Sequence, residues 1–130
     1  MTLKSRTRLK VQIDEIFRIE KTRYEHVSII FCSDKYLLGL NRDFLKHDYY
    51  TDIITFPLNS PGQPIEAEIY ISADRVRDNA RRLGESLQKE LSRVVFHGIL
   101  HLCGYADKLP KQQSQMIKKE EEYLAKFSNI

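Results

Sequence analysis

The sequence predicts an α+β fold, in which a small mixed β-sheet is packed by about five helices and the helix carrying His97 and His101 lies at the centre. Apolar residues three and four apart, typical of amphipathic helices, alternate with short β-branched runs typical of strands. The predicted order is helix, strand, helix, strand, strand and three helices, which favours layers of sheet and helix around one core.

The length and composition support a single core. A chain of 130 residues with 42% hydrophobic residues can bury a sizeable interior without disulfides or a structural metal. Because no repeat, linker or low-complexity tract interrupts the sequence, we expect residues 1–130 to form one domain.

The first helix and strand follow from side-chain spacing. Apolar residues at spacings of four, three and one predict an amphipathic helix over residues 5–20, namely Leu9, Ile13, Ile16 and Phe17. The β-branched run at 26–31 predicts a buried strand. Ser33 is then expected to cap a helix that ends near residues 45–47.

The middle of the chain predicts two connected strands. Residues 49–57 are expected to form a strand that Pro57 closes, because proline cannot continue a central ladder. The turn cluster at 59–64 (NSPGQP) indicates a hairpin-like connection to a second strand over 67–71.

Three helices are predicted in the last part of the chain. Ser72 caps a helix that runs to about Leu83, and Ser86 caps the helix with the histidine pair. Pro110 is placed to begin the last helix. Residues 120–122 are expected on its exposed face, and its apolar side is expected to carry Met116, Ile117, Tyr123, Leu124 and Phe127.

His97 and His101 are candidate metal ligands. Helical residues four apart project from the same face, so two imidazoles can bind one ion. Gly104 can adopt a positive φ and turn the chain, bringing Asp107 back toward the pair. Two imidazoles and one carboxylate leave the fourth tetrahedral position open, as in a catalytic zinc site.

The alternative is a chance pair of core or surface histidines. The apolar segment from Leu91 to Leu102 favours the metal site, because buried imidazoles need partners and a shared metal supplies one to each.

Charge and cysteine content place bounds on partners and location. The net charge of +3, from 21 basic and 18 acidic residues, permits a polyanionic partner without requiring one. Only two cysteines occur, Cys32 and Cys103, and we expect both to be free thiols. Without a signal peptide or an apolar run of membrane-spanning length, a cytoplasmic location and no membrane partner are expected.

The candidate centre suits hydrolysis. Zinc polarises a carbonyl or phosphoryl oxygen and acidifies water. In HExxH metallopeptidases a glutamate follows the first histidine as general base, whereas this chain has Gly98 there, which disfavours a peptidase. Hydrolysis of a phosphodiester does not need that glutamate. It needs acidified water, neutralisation of charge at phosphorus and cations that bind the nucleic-acid backbone.

Three motifs resemble those of one family. Residues 97–107 (HGILHLCGYAD) resemble the signature HGxLHLxGYDH of the YbeY family of bacterial zinc-dependent endoribonucleases. Residues 51–57 are similar to the family's TDVLSFP strand, and residues 67–72 to its GDIxIS strand. The resemblance covers roughly residues 27–127.

The resemblance implies a mixed sheet with surrounding helices and one zinc ion per chain. It also implies a cytoplasmic enzyme that cleaves single-stranded RNA, matures the 3′ end of 16S rRNA in the small ribosomal subunit and contributes to ribosome quality control, with no DNA partner expected. By position, His97 and His101 are the first two ligands and Asp107 takes the place of the third histidine.

This chain departs from the family at two further points. Leu45 stands where the family's YRGKDxPT stretch has arginine, so Arg42, Lys46 and His47 are the candidate substrate-binding residues. The family's strand before the first helix is also missing, which leaves an incomplete N-terminus or a bare sheet edge as alternatives. Two other functions stay open: an assembly factor with a structural zinc site and, disfavoured, a metallopeptidase.

Overall fold

A computed structural model describes residues 6–128. In chain order its elements are α1 (Arg6–Ile19), β1 (Tyr24–Cys32), α2 (Asp34–Phe44), β2 (Ile53–Pro57), β3 (Ile65–Ser72), α3 (Ala73–Leu83), α4 (Leu87–Leu102) and α5 (Pro110–Phe127). The predicted α+β class and the predicted order of elements are therefore confirmed. The predicted start of the first helix, Ser5, lies outside the described residues.

The sheet is mixed, with β3 at its centre. β1 runs parallel to β3 and β2 runs antiparallel to it, so that Ile69 lies between Ile29 and Thr55. β2 and β3 form the hairpin that the turn cluster predicts. Within residues 6–128, β1 pairs with β3 alone, and its outer edge is open.

The strand predicted over residues 49–57 is shorter than expected. β2 begins only at Ile53, and Tyr49 and Tyr50 lie in an exposed loop. The ladder ends where β3 ends, because the amide of Ser72 donates to the carbonyl of Asp52 at 2.9 Å and the chain then enters α3. Residues before Asp52 therefore have no stretch of β3 left to pair with.

Helix α4 is the central helix, as predicted. It contacts α1, α3, α5, β2 and β3, and residues on most of its faces are buried. Gly98 allows its close approach to the sheet: a Cβ there would lie 2.8 Å from Cδ1 of Ile53 and 3.3 Å from Cδ1 of Ile69. Burial of this apolar helix against the sheet and its neighbours fixes the position of the histidines that it carries.

The three predicted serine caps are confirmed. The hydroxyls of Ser33, Ser72 and Ser86 each accept a hydrogen bond from the backbone amide three residues later, satisfying one free donor of the first helical turn. Gly84 ends α3 in the left-handed region, with φ of 65°.

The faces predicted for α5 are wrong at one apolar and one acidic residue. Ile117 is 59% exposed, whereas Glu120, expected on the wet face, is only 6% exposed. The buried face of α5 consists of Met116, Glu120, Tyr123 and Phe127, spaced four, three and four apart. One turn of the helix therefore presents a carboxylate to the interior.

The two cysteines are free thiols, as expected. Burial raises the pKa of the Cys103 thiol to about 11, which keeps it protonated at neutral pH. Among residues 6–128, no helix combines the length and apolar character that crossing a membrane requires.

Candidate metal centre

The structure brings His97, His101 and Asp107 together at the C-terminal end of α4. The two Nε2 atoms are 3.1 Å apart. Oδ2 of Asp107 lies 3.2 Å from Nε2 of His97 and 3.2 Å from Nε2 of His101. The three side chains thus present three potential ligand atoms to one point.

A glycine turn brings Asp107 back to the histidines. Gly104 has a φ of 103°, a conformation that side chains disfavour. Its amide donates to the carbonyl of His101, and the amide of Tyr105 donates to the carbonyl of Leu100, both at 3.0 Å. These two bonds satisfy carbonyls of the last helical turn while the chain reverses direction.

The other ring nitrogen of each histidine has a partner that accepts hydrogen bonds. Nδ1 of His101 lies 2.9 Å from the backbone carbonyl oxygen of Tyr105. Nδ1 of His97 lies 2.6 Å from a carboxylate oxygen of Glu120. Because these oxygens only accept, Nδ1 carries the proton in each neutral ring and Nε2 presents a lone pair.

Three acceptors therefore face one another at about 3 Å. Two imidazole lone pairs and a carboxylate oxygen repel unless a proton or a cation lies between them. Two nitrogens and one oxygen with a fourth side open form a donor set that suits zinc and related divalent ions. The residues present fit a metal on this chemistry alone.

Glu120 reaches the centre from α5, a role that was not predicted from the sequence. Burial of His97 lowers its pKa, but the hydrogen bond and negative charge of Glu120, together with Asp107, outweigh burial and raise the pKa overall. A carboxylate bonded to Nδ1 of a metal-binding histidine orients the ring and increases its basicity. The indication in the sequence was the spacing of Glu120 from Met116 and Tyr123, which places all three on the same face of α5.

An open cleft of about 760 Å³ lies over the centre. The cleft is also lined by residues of α2, the loop that follows it and β2, including Asn41, Leu45, His47, Tyr49, Thr51 and Asp52. Burial raises the pKa of the Asp52 carboxyl, against the opposing influence of the nearby His97. Asp52, too, was assigned no site role from the sequence.

Only one of the three candidate substrate-binding residues lines this cleft. His47 does so, whereas Arg42 is paired with Asp48 at 2.8 Å and Nζ of Lys46 points to the carbonyl of Asp43 at 3.4 Å. Lys46 has a φ of 58°, and it stands where the YRGKDxPT stretch has glycine. Leu45, the residue before it, lines the cleft and offers no cation.

Fold and site together define a class: a small α+β protein with a two-histidine, one-carboxylate centre at the end of a buried helix. The family model described as Endoribonuclease YbeY matches residues 3–128. The chain belongs to the YbeY family.

Individual relatives agree with this assignment. The chain is 46% identical to an endoribonuclease YbeY of Cytophaga hutchinsonii, over 95% of this chain and 86% of that protein. It is 42% identical to one of Chloroherpeton thalassium, over 91% and 83% of the two chains. The solution structure of a Thermotoga maritima protein has a TM-score of 0.68 at 34% identity, covering 98% of this chain and 85% of that one.

Proposed function

We propose that this chain is a metal-dependent endoribonuclease that processes ribosomal RNA, with His97, His101 and Asp107 holding the metal and forming the catalytic centre. Membership in the YbeY family and the endoribonuclease names of its relatives support the activity. The observation that carries the assignment of the centre is the meeting of three acceptor atoms, each about 3 Å from the other two, in the lining of an open cleft.

The proposed metal is zinc, one ion per chain. Bound zinc would supply a Lewis acid for a phosphodiester oxygen and would acidify water. The chain's own residues orient this chemistry: Glu120 and the Tyr105 carbonyl fix both imidazoles with Nε2 toward the cleft. Asp107 in place of a third histidine adds negative charge, which we expect to alter metal preference.

The proposed substrate is single-stranded RNA, at the 3′ end of 16S rRNA in the small ribosomal subunit, with a further role in ribosome quality control. These details rest on the family resemblance, as does a cytoplasmic location. A cleft of about 760 Å³ that is open to solvent can accept an extended strand. Arg42, Lys46 and His47 are proposed to contact this substrate, and of the three His47 lines the cleft.

One hydrophobic cluster draws on α1, α3, α4 and α5 and on the strands β1 and β3. It supports the proposal that residues 1–130 act as a single domain. A core of this size does not depend on a metal for folding, which favours a catalytic over a structural zinc ion.

The test is cleavage of a fluorescent single-stranded RNA, with duplex RNA and single-stranded DNA of the same sequence as comparisons. We expect the wild type to cut the single-stranded RNA, chelator to abolish cleavage and zinc to restore it. His101→Ala should be inactive. His26→Ala is the matched control, because His26 is exposed and bonds to Ser28 away from the cleft.

Cleavage that persists in metal-free His101→Ala protein would identify a contaminating nuclease and remove the support for this function. Removing the metal also separates the two roles of zinc. A structural ion should cost several kcal/mol of folding free energy when stripped, whereas a catalytic ion on a complete core should cost much less.

A further inference from the structure

His47 and Tyr49 form a stacked aromatic pair in the lining of the cleft that contains the metal centre. Their ring centroids are 5.1 Å apart with an angle of 18° between the planes. The Tyr49 hydroxyl lies 3.0 Å from Nδ1 of His47. Both residues line the same cleft as His97 and His101, and Tyr49 is 57% exposed.

The loop that carries the pair is held in place. Asn41 is 2% exposed, and its Nδ2 donates to the carbonyl of Tyr49 at 2.8 Å. The amide of His47 donates back to the carbonyl of Asn41 at 3.1 Å. Arg42 and Asp48 join the end of α2 to the loop by a further pair. The rings are therefore positioned before any ligand arrives, which reduces the entropy cost of binding.

The chemistry of this part of the lining is aromatic more than cationic. Leu45 occupies the place of the family's arginine, and the guanidinium of Arg42 is already paired with a carboxylate. An exposed aromatic ring in the cleft of the proposed phosphodiester-cleaving centre fits the planar face of an unpaired nucleobase. Because the pair and the metal centre line one cleft, a strand bound along that cleft can contact both.

We propose that Tyr49, backed by His47, stacks on an unpaired base of the RNA strand whose backbone reaches the metal centre. This inference rests on the proposed function and adds the means by which the strand is held. Stacking tolerates any base but requires that the base be unpaired, so the pair selects single strands without selecting sequence.

The experiment measures binding of fluorescently labelled single-stranded RNA to the chelator-treated chain of residues 1–130, so that cleavage does not interfere. Tyr49→Ala should weaken binding about tenfold, because one stacked base is lost. Tyr49→Phe should bind within about twofold of the wild type, because the ring remains. Tyr36→Ala is the control: Tyr36 is 54% exposed and contacts Tyr70 outside the cleft.

A second oligonucleotide, with abasic sites in place of its bases, isolates stacking. Wild type should bind it about tenfold more weakly than the intact RNA, and Tyr49→Ala should bind both to a similar extent. If Tyr49→Ala weakens both oligonucleotides equally, or neither, while the wild type cuts RNA, the stacking proposal is wrong and the proposed function stands. A wild-type chain that neither binds nor cuts RNA in any condition overturns both.

Discussion

Helix α4 carries two polar clusters one turn apart, and they differ in how donors and acceptors are matched. The guanidinium of Arg93 bonds to Glu85 at 2.5 Å, to Glu90 at 2.6 Å and to Glu121 at 3.0 Å, so its donors meet carboxylate acceptors. Around His97, by contrast, three acceptor atoms converge with no donor among them. The first cluster is complete within the protein, whereas the second needs a proton or a metal cation between its acceptor atoms.

The pKa shifts of Arg93 and Glu85 agree with this completeness, whereas burial raises the pKa of the Glu90 carboxyl despite its bond to Arg93. Hydrogen bonding to Arg93 lowers the pKa of the Glu85 carboxyl to about 2, and the Glu85 bond in turn raises the pKa of Arg93 further above its ordinary value. Each group stabilises the charged form of the other. Polar groups on a buried helix can thus serve structure or chemistry, and the balance of donors and acceptors distinguishes the two.

The largest expected effect comes from removing the carboxylate of the open cluster. Asp107→Ala should reduce cleavage more than about 100-fold, beyond the loss typical of a residue that only supports a ligand. Asp107→His should retain activity, because it restores a third imidazole at the position where the family has histidine. Cleavage rates and zinc content of purified variants provide the measurement. Full activity of Asp107→Ala would exclude Asp107 as a ligand.

Arg93→Met should affect stability alone. It leaves Glu90, whose side chain is 5% exposed, without its cation, and we expect the free energy of unfolding to fall by about 3 kcal/mol. Zinc affinity should stay within about twofold of the wild type. Urea unfolding measures the change in stability, and zinc titration measures the affinity for the metal. A large loss of zinc affinity with unchanged stability would show that the two clusters are not independent.

Glu120→Gln should weaken zinc binding by about 10- to 100-fold, because the supporting group keeps its shape but loses its charge. Glu121→Gln is the matched neighbour: Glu121 bonds to Arg93, and its side chain is 53% exposed. Zinc affinity should not change in that control. Equal effects of the two substitutions would mean that general negative charge, and not the bond to His97, is responsible.

The pH dependence of the metal-free protein should show the smallest effect. The pKa of His97 is raised in the folded chain, despite burial, by Glu120 and Asp107. Its charged form therefore stabilises the fold below the ordinary pKa of about 6.5, and this contribution is lost as pH rises through the folded pKa. The destabilisation caused by Glu120→Gln should accordingly be greater at pH 6 than at pH 8.5. A difference of the opposite sign in urea unfolding would contradict the assignment.

Features fixed by local spacing were predictable from the sequence. The serine caps, the glycine turn at Gly104 and the projection of His97 and His101 from one helical face all depend on residues within about one or two turns of each other. The mixed sheet followed from the order of the elements. Asp107 was predictable for the same reason, because it lies only a short turn beyond the helix end.

Features set by tertiary packing were not predictable. Glu120 reaches His97 only because α5 packs against α4, and the sequence separates the two residues by 23 positions. Asp52 enters the cleft because β3 ends at Ser72 and stops the ladder there. Ile117 was misplaced because hydrophobicity alone does not decide which side of a helix faces the core.

We propose that both imidazoles are held with Nδ1 protonated, so that two Nε2 atoms and Asp107 can bind one ion. Long-range ¹H–¹⁵N spectra of the histidine rings during zinc titration of metal-free protein test it directly. We expect one equivalent of zinc to shift Nε2 of His97 and His101 while Nδ1 stays protonated, and His26 and His47 to remain unchanged. Coordination through Nδ1, or saturation with no change at either ring, would contradict it.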